Sequence, residues 1–245
     1  LAWDENARET AECALNGFGT GSRRGGGEHF WYRNVGIIKF GFLDDLAAAW
    51  QATGQQKYAA AARDYFEDFF DYFDGPPWDG GGVRITVRTT RWGRFLPYFL
   101  GSDAFDEELV SRIIEGAREQ INHQLENVVD MGNVRLFQAN LFVWARLLLP
   151  SFAESEDWIR AARDIYTDTA YRDLEEDGSH SEHEPNYHGL YQGTFEKLAL
   201  WSRAFPEEEI PSFPEKTARI FDYAVASHRP NGQVCGLQDG AAAWL

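Results

Sequence analysis

The stretch "FLDDLAAAWQATGQQKYAAAARDYFEDFFDYF", residues 42–73, decides the fold. Its first part, 42–54, is apolar at helical spacing and stops at Gly54. Its second part, 55–73, is rich in alanine with aromatic residues on one side. Two helices separated by so short a break form a hairpin. The question for the rest of the chain is whether that hairpin recurs.

It does. Helical runs follow at 105–129, 134–150, 155–174, 187–205 and 213–228, with Pro and Gly punctuating the gaps. A break, an aromatic residue and then a helix return near Tyr58, Phe105, Trp158 and Phe213, in steps of 47, 53 and 55 residues. That step length suits one antiparallel helix pair per repeat, as in an α-solenoid or an α/α toroid. Solenoid loops would be short and bland. Several here are long and carry Gly, Trp, His and Arg, which favours a toroid with a loaded cleft. Only "GGVRITVRTTRW", 81–92, alternates like a strand, and it reads equally as an extended lead into a helix. The expectation is a single all-α domain over 1–245, with no linker.

A chain of 245 residues, 44% hydrophobic and 15% aromatic, is long enough to bury a sizeable core. Its nine Trp are core residues or sugar-stacking platforms. A net charge of −16 argues against a general nucleic-acid binder or a ligand of anionic membranes. It leaves room for a local Arg cluster that holds an anion. No apolar run approaches membrane-spanning length. Cys13 and Cys235 cannot by themselves make a metal site, and serve as free thiols or one disulfide. The chain starts at Leu1 rather than Met, as a mature or trimmed form would.

Four segments carry candidate chemistry. "DGSHSEHEPNYHGLY", 177–191, holds His180, His183 and His188 with Glu182 and Glu184. Pro185 places Tyr187 and His188 at the mouth of the next helix, where free N–H groups can stabilise a phenolate. The plainer reading is a surface turn with a capping role. "MGNVRLFQAN", 131–140, puts Asn133 at or near a helix N-cap. Arg135 follows in the first turn, where a cation opposes the helix dipole and hints at a partner, and Asn140 reads as a core or groove amide. Arg84, Arg88, Arg91 and Arg94 around Trp92 read as an anion-binding wall with a stacking platform, or as surface ion pairs. In "GEHFWYRN", 27–34, His29, Trp31, Tyr32 and Arg33 line a cleft, or Phe30 and Trp31 belong to the core. "HSEHE" lacks ordinary metal-ligand spacing, so no metal site is expected. There is no GxSxG, HExxH or P-loop.

Together these residues resemble the heparinase II/III-like polysaccharide lyases. "DGSHSEHEPNYH" is similar to that family's Asp-Gly…Glu…Tyr-His segment, and "GNVRLFQANLFVWARLLLPSF" to its Asn-led helix, with 54 residues from Asn133 to Tyr187. "FWYRN…DYFEDFF" resembles its first helix pair, "RTTRW" its Arg-x-x-x-Trp element, and "RPNGQVCGLQDG" the close of its helical domain. The likeness runs in order from about Trp31 to Gly240. It departs at Val134, where the family often has His, at Ile38-Lys39 in place of a His-Arg pair, and at Glu184 in place of Ser or Gln.

The resemblance implies an incomplete α/α toroid and β-elimination on a uronic-acid polysaccharide such as alginate or a glycosaminoglycan. Asn133 would neutralise the uronate carboxylate, and Tyr187 would serve as acid and base, with His188, His183 or His29 as other candidates for the base. Arg88, Trp92, Arg135, His183, Glu182, His29 and Trp31 would bind the acidic polysaccharide. It implies a periplasmic or secreted protein. In the family a β-sandwich follows, with a further catalytic His and often a metal; this chain would then be a fragment or an isolated helical domain, without a cofactor of its own. The residues name no oligomeric state. Two other readings compete: a glycoside hydrolase with two carboxylates across a cleft, and a non-catalytic carbohydrate-binding module.

Overall fold

The computed structural model describes residues 5–16, 38–73, 82–182 and 184–228, and the backbone of 233–234 and 243–244. His29, Trp31 and His183 lie outside the described residues. The chain folds as two compact units, Leu1–Asn127 and Val128–Leu245.

The first unit holds α1 (Glu5–Leu15), α2 (Leu43–Thr53), α3 (Gln56–Tyr72), α4 (Gly82–Phe99) and α5 (Glu107–Glu126). The hairpin expected from residues 42–73 is α2 and α3. Gly54 ends α2 in the left-handed region (φ 64°), donating its N–H to the Trp50 carbonyl at 2.8 Å. A side chain is disfavoured at that φ, which is why the break falls on glycine. Ala47, Ala49, Ala59, Ala61 and Ala62 are fully buried, so the two helices approach closely.

The core of this unit is aromatic. Trp92 is 0% exposed and meets Phe40, Phe66, Phe69 and Phe70 at centroid separations of 5.3–5.5 Å, edge-on or steeply tilted. This corrects the expectation that Trp92 is a sugar platform: its ring faces are covered by other rings. Arg88 is also 0% exposed. Its Nε donates to Gln120 Oε1 (2.9 Å), its Nη1 to the Ile38 carbonyl (3.3 Å), and its guanidinium lies over the Phe69 ring. Arg88 is therefore a core brace and not a substrate contact.

The strand-like stretch 81–92 is helical from Gly82 on. Thr86 donates its hydroxyl to the Gly82 carbonyl and Thr90 to that of Thr86, both at 2.8 Å, while Ile85, Thr89 and Trp92 are buried. Burial of that face overrides the β-preference of Val, Ile and Thr.

The second unit holds α6 (Asn133–Leu148), α7 (Ser155–Arg172), α8 (Pro185–Ala204), a 3₁₀ turn (Pro206–Glu208) and α9 (Pro214–Ser227). α6 packs on α7 and on α8, and α8 on α9. A two-residue antiparallel pair, β1 (Gln233–Val234) with β2 (Ala243–Trp244), follows. Helices α3, α5, α7 and α9 begin within three residues of the four recurring aromatics.

Candidate functional site

The site is built where α6 and α8 begin. Gly132, the residue before α6, has φ 83°. A methyl group there would stand 2.4 Å from Glu182 Oε1, so glycine alone lets that carboxylate reach the helix end. Glu182 accepts the backbone N–H of Asn133 at 2.8 Å, and the Asn133 Nδ2 at 2.8 and 3.1 Å. A carboxylate at a helix N-terminus meets unsatisfied N–H groups and the positive end of the dipole. The cap of α6 therefore comes from Glu182, on a distant turn, while Asn133 is the first residue of the helix. Asn133 Oδ1 has no partner among the described residues.

The turn that delivers Glu182 is itself pinned. Asp177 Oδ1 accepts the Ser179 N–H at 2.9 Å, and Gly178 (φ 92°) lies against the Arg219 carbonyl so closely that a methyl would stand 2.1 Å away. Leu174 and His180 form a backbone bridge. Glu184, buried, then caps α8: its Oε2 accepts the Tyr187 N–H at 3.0 Å, and Pro185 takes the first helical position. Tyr187 sits in the first turn of α8, half-buried.

His180, His188 and Tyr191 form a buried stack behind that turn. The His180 ring lies 4.5 Å from Tyr191 and 5.7 Å from His188, nearly parallel to both. His180 Nε2 donates to the Glu184 carbonyl (3.0 Å) and His188 Nε2 to the Ile220 carbonyl (2.8 Å). Burial lowers the His188 pKa below the ordinary histidine value, and it raises that of the Tyr191 phenol well above the ordinary range. His188 thus ties the first turn of α8 to α9, its ring facing the interior.

Arg135 also differs from its expected role. Its Nη1 pairs with Asp168 on α7, and Arg172 reaches the same carboxylate at 3.3 Å. The Arg135 hydrogen bond is the main cause holding the Asp168 carboxyl below its ordinary pKa. The partner hinted at by an Arg in the first turn is an internal acid, and the side chain is only 14% exposed. Among the described residues no three His, Cys, Asp or Glu side chains are arranged to hold a metal ion.

Between α6 and α8 runs an open cleft of about 90 Å³. Asn133, Phe137 and Asn140 line it from α6; Gly189, Gly193 and Lys197 line it from α8. Asn140 accepts the Tyr166 hydroxyl at 2.9 Å and donates to Thr194 Oγ1 at 3.3 Å; of the two readings, core or groove amide, it is the groove one. Sequence reading overlooked Gly189, Gly193 and Lys197. The signal was there: a Gly-x-x-x-Gly-x-x-x-Lys spacing inside a helix puts all three on one face.

In the first unit the remaining basic residues of α4 gather near the surface. Arg91 Nη1 donates to the Lys39 carbonyl at 3.0 Å, and the Lys39 pKa is lowered by burial and by the charges of Arg91 and Arg84. All three side chains are half-exposed, and Arg94 is exposed.

Comparison with known proteins gives these features a class. A solved structure of heparinase III superposes with a TM-score of 0.81, at 18% identity, over 98% of this chain and 41% of that one. The heparan sulfate lyase HepC from Pedobacter heparinus superposes at 0.74, also at 18% identity, over 97% of this chain and 42% of that one. This likeness shows the fold class: all-α, an incomplete α/α toroid of antiparallel helix hairpins. The chain belongs to the family described as heparinase II/III N-terminus, which matches residues 36–244. A heparin-sulfate lyase of Bacteroides thetaiotaomicron is 23% identical over 196 residues, 76% of this chain, and one of Pedobacter heparinus is 22% identical over 152 residues, 58% of it. The chain spans 28% and 23% of the lengths of these two relatives.

Proposed function

We propose that this chain is the helical part of a polysaccharide lyase that cleaves a uronic-acid-containing glycosaminoglycan by β-elimination. The observation that carries the reading is the contact of Asn133, which lines the cleft, with Glu182, on the turn that runs into Tyr187. An acidic sugar seated there would draw the Asn133 Nδ2 away from Glu182, and that amide would stabilise its carboxylate as negative charge builds on it, which is what makes the α-proton removable, provided a cation offsets Glu182. Tyr187, in the first turn of α8, takes that proton or returns one to the leaving glycosidic oxygen. The α C–H and glycosidic C–O bonds break, a C=C bond forms beside the carboxylate, and the proton ends on the leaving oxygen. His188 acts through Tyr187 as a positioning residue, by fixing the first turn of α8. The half-exposed Lys39, Arg84 and Arg91 of the first unit suit the same polyanionic substrate class. A periplasmic or secreted location goes with this reading.

The geometry speaks against the hydrolytic alternative on this face. Its candidate carboxylates on this side, Asp177, Glu182 and Glu184, each accept a backbone N–H, Glu182 and Glu184 at a helix N-terminus.

The test is ultraviolet absorbance during incubation of the full-length parent and its Tyr187→Phe variant with heparan sulfate, hyaluronan and alginate. A rise from the new conjugated double bond, abolished in the variant, is expected. Reducing ends appearing without that absorbance would replace elimination by hydrolysis.

A further inference from the structure

Glycine in a helix interior is disfavoured and normally has a reason. Gly132 and Gly178 lie outside the helices, and their reason is visible in positive φ and in the close approach of a carboxylate and a carbonyl. Gly189 and Gly193 have neither. Both lie inside α8, neither has positive φ, and a methyl group on either would meet no atom within 4 Å. The fold does not require them. What they do is leave the α8 side of the cleft bare, facing Asn133, Phe137 and Asn140.

Lys197 stands at the next position of the same face. The protein has only four Lys among 245 residues, with a net charge of −16. Lys57 pairs with Glu12, Lys216 lies over the Tyr171 ring, and Lys39 lies among arginines. Lys197 is exposed, lines the cleft and makes no ion pair among the described residues. The Asn133 end of the cleft has the opposite character: a neutral amide bound to the Glu182 carboxylate. An anionic group would be repelled there unless a cation elsewhere in the cleft offset Glu182.

We infer that the α6–α8 cleft seats an anionic group of an acidic sugar, a carboxylate or a sulfate, with Lys197 as its counter-charge and Gly189 and Gly193 clearing the helix face for the sugar ring. The inference rests on the lyase reading for the nature of the polymer, and it adds a specificity-determining residue to it. A cleft of about 90 Å³ suits one such group and the edge of its ring, not a whole disaccharide.

The experiment titrates the full-length parent, in a Tyr187→Phe background, with heparan sulfate oligosaccharides at several salt concentrations. Matched desulfated and carboxyl-reduced samples form the other arms. Lys197→Gln is expected to weaken binding about tenfold, a size ordinary for a charge-assisted contact, and to flatten its salt dependence. Lys197→Arg retains both. Gly193→Ala raises the melting temperature yet weakens binding, and Gly193→Leu removes it. Loss of the Lys197 effect with the desulfated sample assigns a sulfate; loss with the carboxyl-reduced sample assigns the carboxylate. Unchanged affinity and salt slope in Lys197→Gln, or a Gly193→Ala protein that is stabilised and binds normally, overturns the inference. Cleavage is read separately in the protein with Tyr187 intact. Absence of unsaturated product there would sink the lyase reading while leaving the Lys197 result standing on its own.

Discussion

Helices α4 and α8 carry the two segments of this chain that look most like chemistry, and they turn out opposite in kind. In α4 the conspicuous residues, Arg88 and Trp92, point inward and vanish into an aromatic core. In α8 the inconspicuous ones, Gly189, Gly193 and Lys197, line an open cleft. A functional surface is made by what is left uncovered, and a large or charged side chain in a helix says little about whether its neighbours cover it.

The largest expected effect tests the α4 side of this contrast. Trp92→Ala should cost about 3–5 kcal/mol of stability, because it removes a fully buried ring whose space cannot collapse. Chemical denaturation measures it. If the ring served a sugar instead, stability would hold and polymer affinity would drop.

Next comes the capping carboxylate on the α8 side. Glu182→Ala removes the acceptor of the Asn133 N–H and amide, and should cost about 1–2 kcal/mol, the range of a lost N-cap. Its loss of cleavage should exceed what that destabilisation explains. A variant as active as its parent would break the link between the helix end and the chemistry.

Smaller effects appear as pH dependence. The pKa of His188 is lower in the folded chain than the ordinary 6.5, chiefly through burial. The unfolded chain therefore binds the extra proton first. Stability should fall as pH drops from that ordinary value toward the folded one, and level off below it. His188→Gln should flatten that limb in thermal melts across the weakly acidic range.

Asp168 shifts for the opposite reason, its pairing with Arg135. Its contribution is present above the ordinary aspartate value and is lost as pH falls through the lower folded one. The carboxylate is 41% exposed, so screening keeps that contribution under about 1 kcal/mol. Asp168→Asn should change only the acid limb below that of His188.

Much of the site was legible in sequence because its signals are local. Pro185 set the start of α8, Gly54 the end of α2, and the apolar run after Asn133 the course of α6. The cap on α6 was not legible, because the acid that makes it lies 49 residues from Asn133 along the chain. The partner of Arg135 was hidden for the same reason, 33 residues away.

By itself the sequence determined that this protein is all-α, hairpin by hairpin, because helix periodicity and the breaks at Gly and Pro depend only on near neighbours. It also determined that Asn133 and Tyr187 would each stand near the start of a helix in the second half of the chain. Tertiary structure alone decided which polar residues are buried and which line the cleft. Burial is a property of what packs against a helix face, and the aromatic shell closing over Arg88 and Trp92, like the bare face of Gly189 and Gly193, exists only once the helices have come together.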